Sequence, residues 1–216
     1  MGVMRKVLNW YGGLGPRCGK TNPPFDHVIQ VGDPRLRKVS EKVPPDQIKS
    51  KEIQDLIKQL GYVMNKYNCV GLSAPQVGIN KRIFVMQQTA DQIAKTSAAI
   101  IKYRGVTVIP FTVFINPSLK VLDFSKILHT EGCESVRMYC ADVPRFKEVE
   151  VSGLDADGES ISRKFKDWAA RIAQHEMEHL DGKLYTDTMD RKTLTCSCWE
   201  QVNVTKGKIA IPFYPD

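Results

Sequence analysis

Apolar residues along the chain follow two kinds of spacing, one typical of helices and one typical of strands. Between residues 46 and 67 they recur every three or four positions, which predicts an amphipathic helix. These residues are Ile53, Leu56, Ile57, Leu60, Val63 and Met64. Residues 81–88 and 106–117 are rich in β-branched and aromatic side chains and predict strands. The segment between them, from Thr89 to Gly105, predicts an inserted loop or short helix.

A hairpin and a second helix follow. Apolar and polar residues alternate on both sides of the turn sequence DADG, so residues 149–165 predict a β-hairpin. The stretch DWAARIAQHEMEHLDG predicts a helix with Asp167 as its N-cap and Gly182 at its end. After Asp190 the chain is polar and predicts irregular structure. Because the strands form a block with a helix before and after it, we expect an α+β fold with antiparallel sheets.

Length and composition indicate one globular domain with tails. The chain has 216 residues, of which 42% are hydrophobic and 25% charged, and this is ordinary for a globular protein. It contains no internal repeat, and no apolar run approaches the ~18 residues of a transmembrane helix, so we expect no membrane insertion. The expected division is an N-terminal segment over residues 1–25, a folded domain over 26–192 and a C-terminal tail over 193–216.

The net charge of +7 is concentrated near the N-terminus. Arg5, Lys6, Arg17 and Lys20 lie in a segment, residues 1–25, that contains no acidic residue. A basic, acid-free segment of this kind predicts an organelle-targeting presequence, and a disordered tail is the alternative. The rest of the chain carries little net charge and no basic stripe with interleaved aromatic residues. We therefore expect no direct binding of nucleic acid.

Cysteine usage indicates a reducing compartment. The six cysteines are Cys18, Cys69, Cys133, Cys140, Cys196 and Cys198. The chain shows neither a secretory signal peptide nor the dense cysteine framework of a disulfide-stapled protein. Cys196 and Cys198 have the wrong spacing for a zinc knuckle, so we interpret them as two thiols without a special role.

The stretch QHEMEHLDG contains a candidate metal site. His175 and His179 are four residues apart and therefore share one helix face, where two imidazoles can bind one Zn²⁺ or Fe²⁺ ion. Trp168 and Ile172 continue this face, so we expect the histidines to point inward. Glu176 lies about 100° away around the helix and can act as a general base. The alternative is a surface helix with two histidines beside acids, because three fixed letters also occur by chance.

Two further stretches can complete such a site. In EGCESV, the Cys133 thiolate could be a third ligand and leave one tetrahedral position open, although a buried inert thiol is the common alternative. In CVGLSAPQVG, Gly71 allows a close approach and Gln76 offers an uncharged donor to a developing oxyanion. The alternative for this second stretch is a tight turn into the next strand.

Together, GLSAPQ, EGCESV and QHEMEHL resemble the three motifs of the peptide deformylase family, in the same order. The resemblance extends from about Val28 to Asp190, and the wording VGLSAPQ, EGCESV and WAARI is most similar to the mitochondrial type of animals. It implies an α+β fold whose central helix carries the HExxH residues. It also implies hydrolysis of the N-formyl group from the N-terminal methionine of newly synthesised polypeptides, with release of formate.

The resemblance also implies roles for individual residues. Cys133, His175 and His179 would bind one divalent metal ion, Fe²⁺ or Zn²⁺, with Co²⁺ or Ni²⁺ as further options. Glu176 would be the general acid and base.

On the substrate side, the resemblance implies that Gln76 and the backbone N–H of Glu134 would bind the formyl oxygen, and that the backbone of Gly71 would contact the substrate. From their places in the sequence, Val70, Trp168 and Ile172 are candidate walls of the slot for the methionine side chain. Plain core packing is the alternative for Trp168.

The chain departs from the family at three positions. Glycine, leucine and aspartate are usual where Cys69, Glu134 and Glu178 stand. The Glu134 carboxylate either adds negative potential beside the thiolate of Cys133 or turns outward to a basic residue such as Arg137.

The expected partners are N-formylmethionyl nascent polypeptides, near the ribosome. The oligomeric state is open, with a homodimer as one option. The expected location is the mitochondrial matrix rather than the cytoplasm. Two rival functions are a zinc peptidase that cleaves unformylated peptides and a non-catalytic relative that has kept the fold.

Overall fold

The computed structural model describes residues 22–215. The basic residues Arg5, Lys6, Arg17 and Lys20, on which the targeting prediction depends, lie outside the described residues. Within the described part, the helices are α1 (Lys51–Lys66), α2 (Ala90–Ala94), α3 (Ala98–Arg104), α4 (Asp167–Leu180) and α5 (Trp199–Val204). The strands are β1 (Gly71–Ser73), β2 (Ile83–Gln88), β3 (Ile109–Gly132), β4 (Tyr139–Leu154), β5 (Ser160–Lys166) and β6 (Thr195–Cys196). Single 3-10 turns occupy Pro34–Arg37, Pro45–Gln47, Ala74–Val77, Glu134–Val136, Tyr185–Asp187 and Arg191–Thr193.

The strands form an antiparallel sheet in the order β1-β2-β3-β4-β5, and β6 pairs with β4. The expected α+β class with antiparallel pairing is confirmed, but the strands make one six-stranded sheet where the sequence suggested several. The reason is the length of β3, which has 24 residues and pairs with β4 through several register shifts between Ile115 and Lys126. Such irregularities bend a strand. The long β3–β4 pair can therefore join β2 on one side and β5 on the other in a single sheet.

Strand β2 is apolar on both faces because helices cover both. Ile83 and Val85 belong to the core cluster that includes α1, whereas Phe84 and Met86 belong to the cluster that includes α4. Helix α1 buries all six apolar residues that its spacing predicted. Helix α4 contacts all five strands of the path from β1 to β5. These contacts fix the position of the helix that carries His175, Glu176 and His179.

The helix ends differ from the sequence expectations in ways that local chemistry explains. Helix α1 begins at Lys51, later than expected, because the Ser50 side chain accepts a hydrogen bond from the backbone N–H of Ile53. The predicted N-cap role of Asp167 is wrong. Strand β5 runs directly into α4, so the extended cap residue is Lys166, and its side chain makes no cap hydrogen bond.

The end of α4 follows the prediction. Gly182 has φ +71, and Lys183 donates its N–H to the Glu178 carbonyl while Gly182 donates to that of His179. A Cβ at Gly182 would lie 2.9 Å from the Arg37 backbone. The helix therefore needs glycine here both for the left-handed turn and for the close approach.

The predicted insertion over residues 89–105 contains two short helices, α2 and α3, capped by Thr89 and Ser97. The predicted hairpin is present as β4 and β5, joined by residues 155–159. The expectation of irregular structure after Asp190 is wrong: β6 pairs with β4, α5 follows, and the Tyr67 hydroxyl donates to the Phe213 carbonyl at 2.9 Å. Backbone pairing of this kind leaves little trace in side-chain patterns.

The domain boundaries at residues 25 and 192 stay predictions. No helix within residues 22–215 is long and apolar enough to cross a membrane.

Candidate metal centre and active site

Cys133, His175 and His179 lie together. Cys133 follows the end of β3, and both histidines lie on α4, one turn apart. One ligand atom from each of the three side chains lies within 4.8 Å of the others, and the Cys133 Sγ is 3.3 Å from Nε2 of His179. One thiolate with two imidazoles suits Zn²⁺ or Fe²⁺. The fold thus brings Cys133 to the two histidines that lie about 40 residues later in the chain, as three metal ligands would require.

The donor set fits a divalent metal ion. Burial is the main cause that lowers the pKa of His179, so its imidazole is neutral and can donate a lone pair. Nδ1 of His175 is 3.0 Å from Oε2 of Glu131, which leaves Nε2 as the ring nitrogen for a metal. A carboxylate that holds the far nitrogen of a metal-binding histidine is a common arrangement around metal sites.

Glu131 is the centre of a buried charge network that the sequence analysis did not identify. Its side chain is 4% exposed and accepts two hydrogen bonds from Arg145, each 2.9 Å long, and one of 2.6 Å from Arg171. Burial alone would raise the pKa of Glu131, but hydrogen bonds from Arg145 and His175 outweigh burial and hold the pKa far below its ordinary value. Arg145 also contacts Glu178 at 2.6 Å. Both residues lie in strand sequences that are mixed in polarity, HTEG and DVPRFKE, so nothing in the local pattern marks them as buried.

Glu176 is buried directly against β1. Its exposed fraction is 3%, and burial raises its pKa to about 7. A Cβ on Gly71 would lie 2.5 Å from Oε1 of Glu176, so only glycine leaves room for the carboxylate. The close approach that the sequence analysis expected at Gly71 is therefore an approach to this side chain.

Gln76 is held in one orientation. Its Oε1 accepts from the backbone N–H of Ser73 at 2.9 Å and from the Ser73 hydroxyl at 3.0 Å. The amide NH₂ therefore points the other way, 3.2 Å from Oγ of Ser135 and 3.7 Å from Sγ of Cys133. A buried donor fixed in this manner is ready to bind an oxygen atom that approaches the metal centre.

A cavity of about 490 Å³ joins these groups. Nine of the ten residues named from the sequence line it: Val70, Gly71, Gln76, Cys133, Glu134, Trp168, Ile172, His175 and Glu176. The tenth, His179, is 1% exposed and lies behind the cavity wall. Residues that the sequence analysis did not assign to the site also line it, among them Asn68, Arg104, Thr130, Met138, Tyr139 and Ser197.

The Glu134 side chain turns to Arg137, with Oε2 and Nη1 2.5 Å apart. Of the two alternatives for this carboxylate, the ion pair is the one that the structure shows. The Glu134 backbone carbonyl accepts from Nε2 of Gln30 at 2.8 Å, which holds the loop after Cys133 in place. Because the negative charge is matched locally, it adds little potential at the Cys133 thiolate.

We expect Glu131→Gln to lower the free energy of unfolding by about 3 kcal/mol, because two buried guanidinium groups lose their shared counter-charge. It should also weaken metal binding roughly tenfold or more, since His175 loses the carboxylate that orients it. Denaturant unfolding and metal retention against a competing chelator would measure both. Glu159→Gln, at an exposed position in the β4–β5 turn, is the matched control. An unchanged unfolding free energy in Glu131→Gln would contradict this view of the network.

We expect Glu134→Leu to change turnover by less than about threefold, because the charge that it removes is already paired with Arg137. Arg137→Leu should do more harm, since it leaves the Glu134 carboxylate unpaired beside the metal ligand. Steady-state kinetics and metal content of both variants are the measurement. If Glu134→Leu lost most of its turnover with metal content intact, Glu134 would have a catalytic part that its ion pair does not explain.

Comparison with known proteins identifies the family of this chain. The model of the polypeptide deformylase family matches residues 25–194. The mitochondrial peptide deformylase of Homo sapiens is 44% identical over 185 residues, which is 86% of this chain and 76% of the human protein. Peptide deformylase 1A, chloroplastic/mitochondrial, of Arabidopsis thaliana is 38% identical over 184 residues, 85% of this chain and 68% of the plant protein.

Solved structures agree as well. A peptide deformylase from Synechococcus elongatus in complex with actinonin superposes with a TM-score of 0.65 at 29% identity, covering 93% of this chain and 97% of that one. A Met-Ala-Ser-bound class I type b peptide deformylase from Acinetobacter baumannii also gives a TM-score of 0.65 at 29% identity, covering 75% of this chain and 96% of the bacterial one. With its family model, its relatives and its fold in agreement, this chain belongs to the peptide deformylase family.

Proposed function

We propose that this chain hydrolyses the N-formyl group from the N-terminal methionine of newly synthesised polypeptides and releases formate. The observation that carries the proposal is the meeting of Cys133, His175 and His179 with Glu176 and Gln76 at one cavity. A metal centre, a buried carboxyl group and an oriented amide donor are what hydrolysis of a small amide requires.

The metal ligands would be Cys133, His175 and His179. When bound there, a divalent ion supplies Lewis-acid polarisation of a carbonyl oxygen and makes water more acidic. Fe²⁺, Zn²⁺, Co²⁺ and Ni²⁺ all suit the donor set. A helix that packs against all five strands from β1 to β5 would serve as the central helix of the family fold and hold two of the ligands rigidly.

Glu176 would move the proton. A carboxyl group whose burial raises its pKa to about 7 can take a proton from the attacking water and return it to the leaving amine near neutral pH. Gln76 and the backbone N–H of Glu134 would donate to the oxygen of the formyl group as it gains negative charge. Each such donor typically contributes about 3 kcal/mol to the lowering of the barrier.

The substrate is a nascent polypeptide with an N-terminal formylmethionine. Val70, Trp168 and Ile172 line the cavity and would form the slot for the methionine side chain, and the backbone of Gly71 would contact the peptide. The related structure with bound Met-Ala-Ser supports a peptide of this class. The site of action would be close to the ribosome, and both monomer and homodimer are compatible with this proposal.

A peptidase is the rival enzyme, and a non-catalytic relative is the rival from another class. The purified, metal-loaded protein should release formate from formyl-Met-Ala-Ser and leave the amide bonds of unformylated Met-Ala-Ser intact. Cleavage of the unformylated peptide would favour the peptidase. If neither reaction occurred in metal-loaded protein, the chain would be a binding protein that has kept the fold.

We expect Glu176→Gln to lower turnover by about 100-fold or more while metal content stays near that of the wild type. The amide keeps the volume of the side chain but cannot carry the proton. Cys133→Ser and His179→Ala are the comparison variants, because they should lose metal as well as turnover and melt at a lower temperature. Atomic spectroscopy beside formate release would separate the two kinds of defect. Near wild-type turnover in Glu176→Gln would remove Glu176 from the mechanism.

The proposed location is the mitochondrial matrix. The support is the human mitochondrial relative, the plant organellar relative and the basic, acid-free residues 1–25. A fluorescent protein fused after residue 30 should colocalise with a matrix marker, and substituting Arg5, Lys6, Arg17 and Lys20 by glutamine should spread it through the cytosol. A cytosolic distribution of the unsubstituted fusion would count against the matrix assignment.

A further inference from the structure

The end of α3 forms part of the cavity rim. Arg104 is the last residue of this helix, lines the cavity, and places its guanidinium carbon 5.1 Å from the centre of the Trp168 ring. The Trp168 indole N–H in turn donates to Oε1 of Gln88 at 3.2 Å, so the ring beneath the guanidinium is held in place. Helix α3 thus brings a cation over the wall proposed to hold the methionine side chain.

Arg104 differs from the other arginines that line this cavity. Arg137 pairs with Glu134, and the Arg171 side chain donates to Glu131. Within residues 22–215, no carboxylate oxygen lies within 4.0 Å of the Arg104 guanidinium. This holds also for Asp167, although Asp167 and Arg104 line the same neighbouring cavity. Burial, followed by Arg171 and Arg104, lowers the pKa of nearby His129, so this imidazole adds no charge near neutral pH. Arg104 is therefore the source of the unmatched positive charge at this rim.

The distance from the metal centre fits a particular residue of the substrate. Trp168 precedes His175 by seven positions on α4, which is about 10 Å along the helix axis. We take the peptide to run along α4 from the metal centre towards Trp168. An extended peptide advances about 3.4 Å per residue, so it covers this distance in roughly three residues. In an extended peptide, side chains one and three also point to the same face. The side chain of the third substrate residue would therefore lie on the same side as the methionine side chain, above the Trp168 ring and next to Arg104.

We propose that Arg104 is a specificity-determining residue that favours substrates with an acidic third residue and disfavours those with a basic one. The inference rests on the proposed deformylase function and names the substrate class within it. A planar guanidinium on an aromatic ring keeps its N–H donors directed outward, where they can form two parallel hydrogen bonds with a carboxylate. The second residue points to the opposite face and should not sense Arg104.

The experiment compares peptides that differ in one charge. The substrates are formyl-Met-Ala-Glu-Ala and formyl-Met-Ala-Lys-Ala, together with formyl-Met-Glu-Ala-Ala and formyl-Met-Lys-Ala-Ala, all with amidated C-termini so that no terminal carboxylate competes. The wild type should prefer glutamate over lysine at position three by roughly tenfold in kcat/KM, since attraction and repulsion both contribute. At position two the same ratio should stay near one.

Variants on α3 separate binding from packing. Arg104→Ala should bring the position-three ratio close to one, Arg104→Glu should invert it, and Arg104→Lys should keep most of it. Lys102→Ala, an exposed cation on the same helix, is the matched control and should leave the ratio as in the wild type. The change should fall mainly on KM, with metal content unchanged.

Two outcomes would overturn the inference alone. A position-three ratio that is equal in the wild type and in Arg104→Ala would exclude charge selection by this residue. If Arg104→Ala lost kcat/KM equally on all four peptides, Arg104 would only pack on Trp168. A wild-type enzyme that released no formate from any of the four peptides would instead overturn the proposed function, and this inference with it.

Discussion

A single buried carboxylate, that of Glu131, constrains the arrangement of the sheet, the long helix and the metal centre. It accepts hydrogen bonds from Arg145 on β4 and from Arg171 on α4, and it contacts the ring of His175. A charge buried to this degree is tolerated only while its partners stay in place, and removing one partner of such a pair typically costs about 3–5 kcal/mol. The network therefore acts less as a source of stability than as a restriction on how β3, β4 and α4 can be packed.

The geometry of the proposed metal centre follows from this restriction. His175 and His179 are aligned by the periodicity of α4, and the orientation of the first ring is set by Glu131. Cys133 follows Glu131 by two residues and comes directly after the end of β3, so the strand that holds the carboxylate also positions the thiol. On the other side of α4, Gly71 has no Cβ where the Glu176 carboxylate lies. The proposed ligands and general base are thus positioned by two strands, β3 and β1.

The sequence predicted most elements that depend on local patterns. The apolar spacing gave α1, the DADG turn gave the β4–β5 hairpin, and Gly182 marked the end of α4. The candidate site residues stand out in the sequence because their chemistry is rare, and their roles stay predictions. The features that could not be predicted are non-local. They are the joining of the strands in one sheet, the pairing of β6 with β4, and the ion pairs of Glu131 with Arg145 and Arg171. Each of these depends on pairing between distant residues, for which the spacing of side chains carries no information.

The residues proposed for catalysis and the residue proposed for substrate selection differ in the same way, because the former depend on non-local packing and the latter lies on a short local helix. The proposed catalytic groups lie on α4 and just after the ends of β1 and β3, and α4 contacts five strands of the sheet, so their positions change only if the core changes. Arg104 lies at the end of a seven-residue helix that has no buried residue. Its guanidinium packs on the Trp168 ring, which belongs to the cavity wall. A substitution there alters the charge of the rim without disturbing the metal ligands or the Glu131 network. On the proposal for Arg104, an insertion between two strands would in this way change which peptides are accepted while the proposed hydrolytic site remains the same.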